Sequence, residues 1–366
     1  MGVAKALRLL WPAVVALIVA AGFAGYRLVR GGGDPLALAT IGERFANGEP
    51  AGSEGYDGQF NFYIARDWLP DAVQPHLDAP AYRYQRILYP ALARWLAFGR
   101  TDSIPWLLPA VSLMAHFLGT LAVAAVLDRQ GMWTGYALAY GLWVGVVGPA
   151  GIDLSEPLAY GLAAAGFFWL VADRPTAGGA ALGLALLAKE TTLLFWLAAW
   201  LAACFHRDRK AVGVLSLFGL GFAGWQAWLW LQFGEPGIGS GGAGATGFEW
   251  LPFFGLARVG AVDARVLLLF LLLLAPSILL PAVWGVVVAG RRLLGGDRGR
   301  ETIALLLNAA LIAFLPFSTF REPFAMARLA VGMVLATTLF CAAHGWRRPL
   351  NYALFWSAGL VLLARL

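Results

Sequence analysis

The sequence predicts an all-α, polytopic transmembrane bundle of about 11 helices, with amphipathic helices in one large outer loop. Three observations carry that prediction. Hydrophobic residues make up 60% of the 366 positions and charged residues only 13%, about half the share a soluble domain carries. Apolar runs of about 20 residues, the length that crosses a bilayer, recur from end to end. The remaining charges are sorted, with basic clusters in short connections and acids gathered in one long one. Sixteen Trp and 23 Phe suit aromatic belts at membrane interfaces.

The first run, 6–25, follows Lys5 and Arg8 and reads as a retained signal anchor rather than a cleaved signal peptide. The alternation of loops downstream works only with this helix in place. Further spans are predicted at 104–127, 133–148, 155–172, 177–189, 191–205, 211–233, 264–290, 302–317, 325–343 and 351–364. Two of them, 177–189 and 191–205, are short for a crossing and read as a broken pair that meets inside the protein. With the amino terminus inside, the connections at 128–132, 173–176, 206–210, 291–301 and 344–350 are cytoplasmic. They hold Arg207-Asp208-Arg209-Lys210, Arg291-Arg292, Arg298, Arg300 and Arg347-Arg348, as the positive-inside rule requires. That placement accounts for the net charge of +6 and excludes a nucleic-acid partner, which needs a continuous basic face. Cys204, Cys341 and four scattered His imply neither a disulfide framework nor a metal site.

Residues 1–366 thus read as one domain, in which 26–103 is the first extracytoplasmic loop. Asp34, Glu43, Glu49, Glu54, Asp57, Asp67, Asp71, Asp78 and Asp102 put nine of the chain's 21 acids there. Short amphipathic helices are expected at Gly42–Asn47, Phe60–Trp68 and Arg83–Phe98, the last along the membrane interface. A second outer loop, Gly234–Gly247, is Gly-rich and reads equally as a mobile connector or a substrate lid.

Charge kept together in such a chain is expensive and marks function. In Tyr56-Asp57-Gly58-Gln59-Phe60, Asp57 is either a general base for an incoming hydroxyl or the N-cap of the helix that follows. Gly58 would let the backbone approach a ligand closely. In Ala81-Tyr82-Arg83-Tyr84-Gln85-Arg86, the two arginines are three apart and share a helix face. They suit a phosphate or pyrophosphate, or else snorkel to lipid headgroups. Glu156 in Ser155-Glu156-Pro157 and Glu322 in Arg321-Glu322-Pro323 each open a helix from the outer side. A helix-dipole role is the simpler account of both, but Ser155 and the run from Arg321 to Arg328 favour a site. Lys189-Glu190-Thr191 interrupts an apolar stretch and is either a buried functional pair or a hairpin tip. The predicted topology brings Asp57, Arg83, Arg86, Glu156, Lys189, Glu190, Glu322 and Arg328 to one side of the membrane.

With these segments, the chain resembles the multi-pass glycosyltransferases of the GT-C fold, which use polyprenyl-phosphate-linked sugars. Tyr56–Phe60, Ala81–Pro90, Ser155–Pro157 and Arg321–Pro323 are similar more narrowly to a group of uncharacterised bacterial members. The resemblance implies a bacterial cytoplasmic (inner) membrane enzyme with its active site facing the periplasm. It implies an inverting transfer to a glycan, lipid or protein hydroxyl, with Asp57 as the catalytic base. Donor-phosphate binding would fall to Arg83, Arg86, Lys189 and Arg328, with Tyr56, Gln59, Tyr82, Glu156, Glu190, Arg321 and Glu322 in support. The chain lacks the paired Asp-Asp or Asp-X-Asp common at that loop position and the large soluble C-terminal domain of the longest members. No cofactor is therefore assigned, and divalent-metal use and acceptor type stay open. Two other readings remain: a transporter or flippase for a lipid-linked or anionic solute, for which no inverted repeat is seen, and a non-catalytic envelope scaffold.

Overall fold

The computed structural model describes residues 2–242 and 244–365, and every element among them is helical. Four helices are long and apolar enough to cross a membrane: Val3–Arg30, Thr101–Arg129, Arg209–Phe233 and Ala264–Leu294. Pro323–Leu329 and Val331–Ala343 join as a fifth candidate, bent by 41° between them. Glu156–Val171, Pro175–Ala188 and Glu190–Phe205 are apolar but shorter. Helices therefore lie where the apolar runs predict them, while the described lengths support four or five crossings.

Three predicted elements differ in form. The run 133–148 is not one helix but a 3-10 turn at Thr134–Ala137, a short helix at Leu138–Gly141 and another at Val144–Ala150. Gly135, Gly141, Gly145 and Gly148 weaken helix formation there, and Trp143 adopts an extended backbone while donating its indole N–H to the Ala327 carbonyl at 2.8 Å. The run 351–364 divides into Arg347–Leu354 and a 3-10 stretch, Phe355–Arg365. The predicted Arg83–Phe98 helix is two, Pro80–Tyr84 and Leu88–Leu96, so Arg86 lies in the turn between them. The second is no surface helix: Leu88, Tyr89, Ala91 and Ala93 are buried, and only its end, Trp95 and Leu96, is exposed.

At the centre runs Val331–Ala343, buried from Val331 through Ala342, as a helix apolar on all sides must be. Around it pack Arg300–Ala313, Ile104–Arg129 and Glu156–Val171. Helix contacts in lipid gain from small residues that let backbones approach, and Glu156–Val171 meets Ile104–Arg129 in this way. A Cβ on Gly119 would lie 2.6 Å from the Gly161 Cα, and one on Gly161 would lie 2.8 Å from the Ala115 carbonyl oxygen. The segment 26–103 docks on this bundle through Phe60, Tyr63, Ile64, Leu88 and Tyr89, which share a core with Leu108, Leu158 and Leu229.

The close crossing makes a prediction. Gly161→Val should destabilise the purified protein by about 1–3 kcal/mol through overpacking. Gly213→Ala, inside Arg209–Phe233 with open space around the site of its Cβ, should melt no lower than the wild type. Equal melting of both variants would show that the crossing does not depend on the glycine contact.

Candidate functional site

The site begins where the segment 26–103 lands on the bundle. Gly58 opens the helix Gly58–Arg66 against the turn before Glu156–Val171; a Cβ on it would sit 2.4 Å from the Ile152 carbonyl oxygen. The close approach expected of Gly58 is thus to the protein's own backbone and not to a ligand. Asn61 secures the same joint, donating to the Asp153 carbonyl at 2.8 Å. Gln59 joins the loop's framework as well, accepting from the Gly42 N–H at 3.0 Å and donating to the Glu54 carbonyl at 2.8 Å. Both ends of its amide are engaged away from the charges.

With the joint closed, five segments bring their charges together. Glu156, fully buried, accepts through one oxygen from Lys189 at 2.8 Å and from the Arg328 Nε at 2.7 Å. Arg328 continues to Asp57 at 3.0 Å and to the Tyr56 hydroxyl at 3.1 Å through Nη1. The other Asp57 oxygen lies 3.1 Å from Arg83 Nη1. Arg83 is gripped from behind by Asp78, which accepts from Nε at 2.7 Å and from Nη2 at 2.8 Å. Arg86 forks onto Glu190 at 2.9 and 2.7 Å and donates to the Tyr82 hydroxyl at 2.6 Å. Aromatic faces cover the guanidiniums: Phe60 lies 4.1 Å from that of Arg83, and Tyr82 lies 4.3 Å from that of Arg86. Such contacts hold arginines that have left bulk water.

Asp57 occupies the N-cap position of Gly58–Arg66 but makes no capping hydrogen bond, so the capping alternative fails. Burial pushes its carboxyl up in pKa, yet Arg83, Arg328 and, further off, Arg86 more than reverse this and hold it well below the usual carboxylate range. The four cations (Arg83, Arg86, Lys189, Arg328) are matched by four carboxylates (Asp57, Asp78, Glu156, Glu190). Glu322 hangs at the edge as an exposed residue, accepting from the Tyr56 hydroxyl at 3.0 Å. The second Glu156 oxygen has no hydrogen-bond partner among the described residues.

Most of the predicted set is brought together, with two exceptions. Gln59 serves the loop, as described. Arg321 is exposed, its guanidinium 5.8 Å from the Phe317 ring, and it has no ion-pair partner among the described residues; it precedes the helix that carries Arg328 and lies off that helix's inward face. Asp78 was not singled out from the sequence. Its only signal was its position five residues before Arg83, ahead of Pro80, a spacing no regular helix would turn into a contact. Among the described residues, no three His, Cys, Asp or Glu side chains are grouped to hold a metal ion.

Inside the cluster the free space is about 10 Å³, bounded by Asp57, Arg83, Arg86, Glu156 and Arg328, room for about one water. Beside it lies a groove of about 430 Å³ that begins at Tyr82, Glu190 and Thr191. The Gly-rich loop forms the groove's outer wall, tied by Ile238 N–H to Gln226 at 2.9 Å and by Thr246 N–H to the Ser318 hydroxyl at 3.1 Å. A Cβ on Gly242 would come within 2.9 Å of Arg83 Nη2, so this strap passes directly over the arginine.

The buried hub predicts a stability effect. Glu156→Gln leaves Arg328 and Lys189 without their shared charge and should cost about 3–5 kcal/mol, measured by thermal unfolding in detergent. Glu190→Gln, at a more exposed carboxylate, should cost less; the reverse order would displace Glu156 as the hub. The chain matches no protein-family model, no curated protein and no solved structure.

Proposed function

We propose that this chain is a membrane glycosyltransferase that moves a sugar from a polyprenyl-phosphate-linked donor to an acceptor hydroxyl, with inversion. It works in a bacterial inner membrane, crosses it about 11 times, and opens its site to the periplasm. The observation that carries the reading is the four-cation, four-carboxylate cluster beside a groove of about 430 Å³. A charged wall meeting a partly apolar groove, with Leu193, Leu194 and Phe248 along it, suits a ligand with an anionic head and a hydrocarbon tail.

In this reading the acceptor oxygen bonds to the anomeric carbon as the bond from that carbon to the donor's phosphate oxygen breaks. The acceptor's proton passes to the Asp57 carboxylate. The phosphate leaves with the bonding electron pair, and its charge is met by arginines already oriented in the resting protein. Preorganised groups of this kind stabilise developing charge because they need not reorganise during the reaction. Arg83 and Arg328 carry this role, their Nη1 atoms sharing one anion. Arg86 is held by Glu190 and Tyr82 at the groove's mouth, and Lys189 is committed to Glu156. Lys189 is thereby a support and not a phosphate ligand.

In liposomes supplied with a panel of labelled polyprenyl-phosphate sugars and simple acceptors, the wild type should transfer label. Asp57→Asn should slow transfer by about 10²–10⁴-fold, the usual contribution of a positioned base. Equal rates for the two proteins would remove Asp57 from the chemistry. Movement of the donor across the bilayer without bond formation would replace the transferase reading with the transporter one.

A further inference from the structure

Asp57 differs from the other carboxylates of the cluster in what it holds. Asp78 takes Nε and Nη2 of Arg83, and Glu156 takes Nε of Arg328. Those bonds orient the two guanidiniums. Arg83 keeps its Nη1 free of those bonds and Arg328 its Nη1, which also donates to the Tyr56 hydroxyl at 3.1 Å; the two Nη1 groups meet the two oxygens of the Asp57 carboxylate at 3.1 and 3.0 Å. Removing Asp57 would leave both arginines still fixed and both donors aimed at one vacated point. The carboxylate is also the easiest of the three to move: its side chain is 28% exposed, against 6% for Asp78 and 1% for Glu156. It caps no helix.

We propose that Asp57 is an internal stand-in for a substrate phosphate, which displaces its carboxylate from Arg83 and Arg328. The freed carboxylate then becomes the acceptor's base, a second half that rests on the glycosyl-transfer reading; the exchange at the arginines does not. Space and charge both require displacement rather than addition. The cavity between the arginines is about 10 Å³, enough for one water and too small for a phosphate. Exchanging a phosphate anion for the Asp57 carboxylate keeps the cluster nearer to balance than adding it would, because an added anion would find every cation already paired. The exchange also resolves a conflict in the resting site, since a carboxylate held between two guanidiniums is a poor proton acceptor.

The test is binding, not turnover. Detergent-purified protein is titrated calorimetrically with octyl phosphate and, in a parallel arm, with inorganic phosphate. Asp57→Asn removes the competing internal anion and should bind octyl phosphate about tenfold tighter than the wild type, a gain near 1.4 kcal/mol. Equal or weaker binding by a variant that melts like the wild type overturns the proposal. Should Asp57→Asn fail to fold, the wild type suffices: carbodiimide-driven amidation of Asp57, located by mass spectrometry, should rise when octyl phosphate is added. Unchanged or reduced labelling overturns the displacement. The same gain with inorganic phosphate assigns the clamp to the oxyanion alone, and a gain with octyl phosphate only assigns it to a lipid-linked one; either upholds the exchange. Tighter binding by Asp57→Asn together with no sugar transfer by the wild type sinks the transferase reading and leaves the exchange standing. Transfer with unaltered phosphate affinity does the opposite.

Discussion

The buried carboxylate of Glu156 is the interaction on which the charged end of the helical bundle depends. One of its oxygens holds both Lys189 and Arg328, residues 33 and 172 positions away. It thereby joins the start of one helix, the break after Pro175–Ala188 and the end of Pro323–Leu329. Taking such charges out of water is costly, and their mutual attraction repays that only when the geometry is close and complementary. Here it is met with distances of 2.7–2.8 Å. A cluster satisfied in this way fixes where the three segments can sit, because each alternative leaves a buried charge alone.

From that hub the charges divide by task. Asp78, Glu156 and Glu190 each aim a cation, and the aromatic faces of Phe60, Tyr56 and Tyr82 lie beside the guanidiniums they aim. Asp57 aims nothing; it receives what the others have aimed. On the proposed exchange, this separation between orienting carboxylates and a displaceable one would make a tightly neutralised cluster compatible with anion binding. A site of unpaired arginines would be open to any anion, whereas one with its own anion in place admits only a ligand that competes with it.

The glycines act on the same architecture from the packing side. At Gly119 and Gly161 the absent side chains let two helices approach until backbone touches backbone, and at Gly58 the segment 26–103 closes onto the Ile152 carbonyl. At Gly242 the strap crosses Arg83 where any side chain would press on the guanidinium. Within the glycine-rich stretch, Gly237 and Gly242 lie close against Gln85 and Arg83, while Gly234, Gly239, Gly244 and Gly247 have open space around them.

The sequence by itself determined the class of structure and most of the site's membership. Continuous apolar runs of about 20 residues dictate helices because a helix satisfies all of one run's backbone groups within itself, and charges are costly enough in such a chain that Glu156, Lys189 and Arg328 stand out on sight. Periodicity failed where glycine and local hydrogen bonds broke the helix, at 133–148 and between Tyr84 and Leu88. Pairing was beyond it altogether. Nothing linear joins Asp57 to Arg328 or Arg86 to Glu190, and Asp78 gains its partner only because the chain turns at Pro80. Gln59 and Arg321 share motifs with true members of the cluster and still fall outside it. Only the tertiary structure decided which cation each carboxylate holds. Ion pairs and hydrogen bonds depend on distances of a few ångströms between side chains far apart in sequence, a quantity that residue order does not contain.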